Sequence, residues 1–304
     1  TFPNETLPKG RKQKTTALYD RFVSKGAVMG DSFGLENVLW FANNKKDAHE
    51  EPTIKRSRSH DYVSKEVQNV REKVGAIEVA NFSKHEFKGP DARKFLDYIL
   101  AGKIPKQGRI SLSPMLTYKG KLYGDLTVAC LDEDEFMIFG SGAAQEMHRR
   151  WFESHISKFN VKYLNRSDDF HGVSIAGPKS RDVFQKLVRE DISNKNFKFR
   201  DIRRMFVGGV PAIVNRISFT GELGYEIYVA PHFQLKLYEE IESAGEEFNL
   251  KPFGGRALMS MRLEKNWGAW ALDFRPDFTA KESGLDIFID WKKDFIGKKS
   301  VEKD

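Results

Sequence analysis

The sequence predicts an α+β fold of two antiparallel-sheet subdomains behind an extended N-terminal arm, and three observations carry that expectation. From Val67 onward, strand-like alternation and helix-like periodicity follow one another twice along the chain. Neighbouring strand-like runs are joined by short turns such as Lys119-Gly120, not by the helical crossovers a parallel sheet requires. The composition, 40% hydrophobic and 31% charged over 304 residues, gives a chain able to bury a core, with room for about two domains.

Residues 1–66 are read as the arm. Lys14–Gly26 has the pattern of a short helix, Met29–Ala42 is a glycine-punctuated aromatic stretch with Phe33, Trp40 and Phe41, and Asn43–Lys65 is polar and charged. A segment this poor in core residues is expected to pack on something larger. Helical spacing returns at Asp61–Glu72. The first module, 67–165, is expected to hold a strand at Gly75–Phe82 and a helix at Gly89–Ala101 with Pro90 in its first turn. A hairpin of Ile110–Tyr118 and Leu122–Leu131, a strand at Glu135–Phe139 and a helix at Ala143–Phe159 complete it. The second module, 166–304, repeats the mixture. Its strands are Phe170–Ala176, Ile202–Val207, Ala212–Phe219 and Gly224–Ala230; its helices are Lys179–Val188, His232–Phe248 and Gly255–Lys265.

Charge and cysteine usage narrow the function classes. The net charge of +7 suits an anionic ligand, nucleic acid or a membrane surface without choosing among them. Basic residues are dispersed and lack the arginine, glycine and aromatic strip that stacks bases, so nucleic acid is not expected. No apolar run approaches the roughly 20 residues of a bilayer span, so no membrane segment is expected. Thr1–Lys14 is basic without an apolar stretch and is not read as a signal peptide. A single cysteine, Cys130, excludes an intrachain disulfide and a cysteine zinc cage. The sequons at Asn4, Asn81 and Asn165 then carry little weight, and a cytoplasmic location is the default expectation.

Several motifs could carry chemistry. Gly140-Ser-Gly142-Ala-Ala-Gln145 follows a strand and opens a helix, but it has a glutamine at the third fingerprint position and no βαβ context. It is read as a tight turn. The seven histidines form no metal-ligand spacing, so no metal is expected, and Cys130 is read as a buried thiol. Asp125 is different: on Leu122–Val128 it shares a face with Tyr123 and Thr127, opposite Leu122, Gly124, Leu126 and Val128. A carboxylate in mid-strand is unfavourable for the strand, and the glycine before it admits a close neighbour. Such an acid either holds a developing cation or amine N–H, or is an edge charge. Glu222, bracketed by Gly221 and Gly224 beside aromatic residues, could accept two hydrogen bonds from a flat heterocycle or be a turn residue. Arg256 and Arg262 lie on different faces of one helix and could meet an anionic tail or pair locally.

Six ordered segments resemble the folate-binding family of the glycine-cleavage T-protein, and most nearly the C-terminal folate half of dimethylglycine and sarcosine dehydrogenases. They are Leu116–Val128, Gly172–Leu187, Arg216–Tyr228, Phe253–Lys265, Pro276–Leu285 and Asp294–Gly297; Thr16–Phe41 also resembles the linker before that half. The resemblance implies a two-part core of ferredoxin-like flavour around tetrahydrofolate. By position Asp125 matches the family's catalytic aspartate, Glu222 the glutamate that holds the pteridine, and Arg256 the arginine of the substrate site. Tyr123, Phe219 and Tyr225 flank these positions as ring neighbours, with Arg262 a further candidate. The implied function is capture of formaldehyde or an iminium from a methylated glycine, or of an aminomethyl donor, to give 5,10-methylenetetrahydrofolate. The alternatives are a folate-dependent demethylase and a non-catalytic folate-binding module. No flavin fingerprint precedes the match and no β-rich domain follows it, so the chain is read as a fragment. It would bind no flavin itself, its partners could include a flavoprotein domain or subunit, and exposed apolar surface could drive homo-oligomerisation.

Overall fold

The computed structural model describes residues 8–51 and 53–303, so the Asn4 sequon lies outside the described residues. In chain order the main elements begin with α1 (Tyr19–Ser24), β1 (Ala27–Ser32), β2 (Leu35–Phe41), α2 (Ser59–Glu72) and β3 (Gly75–Glu78). Next come β4 (Phe82–Lys88), α3 (Ala92–Ile99), β5 (Ile110–Leu116), β6 (Leu122–Asp132), β7 (Glu135–Ser141), α4 (Gln145–His155) and β8 (Lys162–Asn165). The remainder is β9 (His171–Ala176), α5 (Ser180–Leu187), β10 (Ile202–Val207), β11 (Val210–Asn215), β12 (Gly224–Val229), α6 (Gln234–Gly245), β13 (Lys251–Pro252), α7 (Gly255–Glu264) and α8 (Lys298–Val301). The α+β class with antiparallel sheets is as the sequence predicts.

The chain divides into two compact units whose boundaries differ from the three consecutive segments expected. One unit comprises residues up to 81 together with 168–199 and 204–267; the other comprises 82–167, 200–203 and 268 onward. In the first unit a six-stranded sheet runs β10-β11-β12-β9-β3-β13. Val173 and Ile175 of β9, with Tyr225, Ile227 and Val229 of β12, share a core with Phe184 and Leu187 of α5 and Leu237, Tyr238 and Ile241 of α6. The arm belongs to this core. Leu18, Phe22, Ala27 and Val38 are buried in it, and the Phe22 ring meets Tyr238 edge-on at 5.1 Å. Met29–Ala42, read only as an aromatic stretch, is largely the β1–β2 hairpin.

The second unit is an antiparallel five-stranded sheet, β5-β6-β7-β4-β8. Phe95, Leu96 and Ile99 of α3 and Phe152 of α4 pack with Phe87, Leu126, Val128, Phe136 and Ile138. Residues beyond 267 return to this sheet, the Leu122 N–H donating to the Phe278 carbonyl at 2.8 Å. Two of the five strands, β4 and β8, were not expected. Phe82-Ser-Lys-His-Glu-Phe-Lys88 hides its nature because Ser83, Lys84 and His85 are wholly buried, inverting the usual pattern of polar residues outside. The strand expected over Gly75–Phe82 is instead two pieces broken at Val79–Asn81. The strand expected over Ala212–Phe219 stops at Asn215, where the Arg216 guanidinium turns inward to the Phe197 carbonyl and the Asn194 side chain.

Candidate functional site

Within the second unit, Asp125 lies where β6 runs on past its neighbour. β7 pairs with β6 only from Thr127, opposite Phe139, so between the Leu122–Phe278 bond and Thr127 the strand is laddered to β5 alone. Along this stretch Leu122, Gly124, Leu126 and Val128 are buried while Tyr123, Asp125 and Thr127 are half-buried, the alternation the sequence implied. Pro114 stands opposite Asp125. It has no N–H to donate, and its carbonyl accepts from Ala101 at 2.9 Å, so the Asp125 peptide groups face the side where β7 has ended.

The Asp125 side chain keeps a partial opening to solvent, yet the protein crowded around its carboxyl pushes the group up to about 7. Only its own backbone N–H opposes that shift, and no other described residue bonds or pairs with it. The carboxylate is therefore a sheltered acceptor with unused capacity, able to take up and return a proton near neutral pH. Tyr123 shares its strand face and meets the Trp151 ring at a tilt, ring centroids 4.7 Å apart.

The close neighbour that Gly124 admits is a histidine. A side-chain carbon on Gly124 would lie 2.9 Å from His148 Nε2, and that nitrogen donates to the Tyr123 carbonyl at 2.9 Å. His148 is buried on α4, and burial pushes its imidazole down to about 4. In the sequence it is one of seven histidines without metal-ligand spacing. What gives it a role is its place against β6, which its spacing on α4 does not reveal.

Within the first unit, Glu222 sits in the loop between β11 and β12. Its N–H donates to Thr220 Oγ1 at 3.2 Å, and its half-buried carboxylate lies 3.8 Å from Lys265 Nζ. Phe219, on the same loop, is half-buried. Arg256 and Arg262 are not brought together. The Arg256 guanidinium is held by Glu50 and by Ser59 Oγ, so its charge is already matched within the unit. Arg262 is buried and donates to the Trp267 carbonyl at 2.8 Å. Tyr225 requires a correction. Both faces of the inner strand β12 are buried, and the Tyr225 ring is sealed between Phe184 and Phe197 at 4.5 and 5.9 Å, so it is a core residue and not a ring neighbour of a ligand.

A further carboxylate went unnoticed in the sequence. Glu66 on α2 is 8% exposed and is pushed up to about 7 by burial, while its two oxygens accept the Phe41 and Gly254 N–H groups at 2.7 and 2.9 Å. Its signal was a glutamate four residues from both Tyr62 and Val70, in the middle of a helical stripe. Among the described residues, no three His, Cys, Asp or Glu side chains gather as a metal-ligand set, and no helix is long and apolar enough to cross a membrane. The Gly140–Gln145 turn leads from an antiparallel strand through a short 3-10 turn into α4, as its tight-turn reading requires.

Residues 18–293 match the family model described as the GCVT N-terminal domain. Human (Homo sapiens) mitochondrial dimethylglycine dehydrogenase is 36% identical over 99% of this chain, which spans 35% of that relative. Aminomethyltransferase from Desulfitobacterium hafniense is 28% identical over 95% of this chain, which spans 74% of it. The crystal structure of glycine cleavage system aminomethyltransferase T from Bartonella henselae superposes with a TM-score of 0.81, covering 96% of this chain and 74% of that one at 21% identity, a likeness of fold.

Proposed function

The chain belongs to the GCVT N-terminal domain family, and from that premise we propose that it is a tetrahydrofolate-binding one-carbon transfer module of the aminomethyltransferase type. The observation that carries this reading is Asp125, a sheltered carboxylate without a partner and with its carboxyl pushed up to about 7. When bound, tetrahydrofolate supplies the two nitrogens between which a one-carbon unit is held. An acceptor with unused capacity fits such nitrogens, since each N–H needs a partner once water is displaced.

Asp125 accepts a hydrogen bond from the attacking nitrogen, takes its proton as the new carbon–nitrogen bond forms, and offsets the positive charge that develops. With formaldehyde as donor, that proton passes to the carbonyl oxygen and leaves a hydroxymethyl on the first nitrogen; the second folate nitrogen then bonds the same carbon, and its proton passes to the hydroxyl, which leaves as water. With an iminium donor the donor nitrogen takes the place of that oxygen and leaves as the protonated amine. Orientation of the two reactants supplies much of the acceleration. Glu222 is proposed to hold the pteridine N–H edge, with Phe219 beside it on the same loop.

Calorimetric titration of tetrahydrofolate into wild type, Glu222→Ala and Asp125→Asn, followed by turnover with formaldehyde, tests this. Binding by wild type, weakened in Glu222→Ala, with turnover lost in Asp125→Asn, is expected. Formation of 5-methyltetrahydrofolate from a methyl donor in place of the 5,10-methylene product would replace this reading with a demethylase. Full turnover by Asp125→Asn would remove Asp125 from the chemistry.

A further inference from the structure

We propose that His148 is a positioning residue for Asp125, standing in for the strand that β6 lacks where it runs past β7. The inference rests on the reading of Asp125 as the reacting carboxylate. Between Thr127, where pairing with β7 begins, and Leu122, whose N–H donates to the Phe278 carbonyl, the β7 side of β6 has no strand partner, and in that gap Tyr123 and Asp125 both turn their backbone groups to that side. The His148 Nε2–H donates to the Tyr123 carbonyl at 2.9 Å, two residues from Asp125 on the same edge. A single side chain on α4 thus supplies the bond that a paired strand would have made.

The arrangement is built from both sides. Gly124 is required on the strand, because a Cβ there would lie 2.9 Å from Nε2 and 3.3 Å from Cε1 of the imidazole. With Nε2 carrying the proton, Nδ1 is an acceptor. Neither the buried Ser83 hydroxyl nor His148 Nδ1 has a hydrogen-bond partner among the described residues. They lie 3.1 and 3.5 Å from the point where a side chain on Gly140 would begin, so that glycine leaves the space between them open. The neighbouring His85 ring, 6.3 Å away and bonded through Nδ1 to the Tyr163 hydroxyl, walls the cluster on β4. Three buried polar residues at one strand end carry a cost that a purely packing role would not incur, since Leu or Phe would fill the same volume without it.

Amide hydrogen exchange on the intact chain, resolved to residues 122–126 against 127–130, tests the proposal in His148→Phe, His148→Gln and Gly124→Ala. His148→Phe removes the donor, His148→Gln restores one of similar reach, and Gly124→Ala displaces the imidazole from the strand side without touching α4. The expected result is exchange about tenfold faster at 122–126 in His148→Phe and Gly124→Ala, little change at 127–130, and recovery in His148→Gln. In the one-carbon assay kcat falls in the same two variants while KM for tetrahydrofolate holds, and His148→Gln recovers kcat. Unchanged exchange at 122–126, or loosening spread evenly over 127–130 and unrelieved by His148→Gln, overturns the proposal. Should His148→Phe fail to fold, Gly124→Ala and His148→Gln decide the matter. Exchange that behaves as expected in a chain whose wild type captures no one-carbon unit overturns the functional reading alone.

Discussion

Glu66 in the first unit and Asp125 in the second are both carboxylates that burial pushes up to about 7, yet their surroundings are opposite. Both oxygens of Glu66 are filled by backbone N–H groups, from Phe41 at the end of β2 and from Gly254 before α7. Asp125 has no such partner. A raised carboxyl is therefore not itself a mark of function. What separates the two is acceptor capacity. Glu66 spends its own tying three segments of the first unit together, whereas Asp125 retains its own at a partial opening to solvent.

The largest effect should come from breaking the filled one. Glu66→Ala orphans two backbone N–H groups in a buried setting and should destabilise by about 3 kcal/mol, with Glu66→Gln losing about half as much because its amide keeps one acceptor oxygen. Urea unfolding checks both. A loss below about 1 kcal/mol for Glu66→Ala would mean that water replaces the carboxylate, erasing the contrast with Asp125.

Asp125→Asn should move stability the other way, with a pH dependence whose sign follows from linkage. The folded-state carboxyl lies near 7 against an unfolded value of 3.8, so the folded chain binds a proton that the unfolded chain has already released. Any stability advantage of the protonated folded form is complete below about pH 4 and is lost as pH rises through 7. Replacing the acid by a neutral amide should stabilise by about 2.5 kcal/mol more at pH 8 than at pH 5, while one-carbon capture is lost. Equal midpoints of wild type and Asp125→Asn at pH 8 would show that the carboxyl is well solvated and that the comparison with Glu66 was drawn between unlike groups.

How far the sequence revealed these features depends on whether they are local. The Leu122–Val128 alternation, the Lys119-Gly120 turn and the glycine beside Asp125 are local signals, and the structure follows them. β4 was invisible because Ser83, Lys84 and His85 are polar residues in buried positions, so periodicity had nothing to count. The interleaving of the two units was invisible because sheet pairing between β3 and β9 spans about a hundred residues that no local pattern connects. Tyr225 was misread because its aromatic neighbours in sequence say nothing about Phe184 and Phe197 closing over it. Gly124 was recognised as making room, but for an unspecified neighbour; the identity of His148 required α4 to be placed.

Glu222 extends the comparison to a carboxylate that is neither sealed like Glu66 nor withdrawn like Asp125. Its nearest cation, Lys265 Nζ at 3.8 Å, is 45% exposed, so Lys265→Ala should change stability by no more than about 0.5 kcal/mol. The loop itself is more constrained than that pair. Gly221 has φ +76°, a conformation that costs a side-chain-bearing residue roughly 1–2 kcal/mol, and a Cβ there would lie 2.4 Å from Lys265 Cγ. The second contact involves the stem of a flexible, exposed side chain, so it should yield. Gly221→Ala should therefore cost about 1 kcal/mol in wild type and nearly as much in a Lys265→Ala background, because backbone strain and not the clash dominates. A cost that vanishes when Lys265 is truncated would assign the constraint to the lysine, making Lys265 the residue that sets the pose of Glu222.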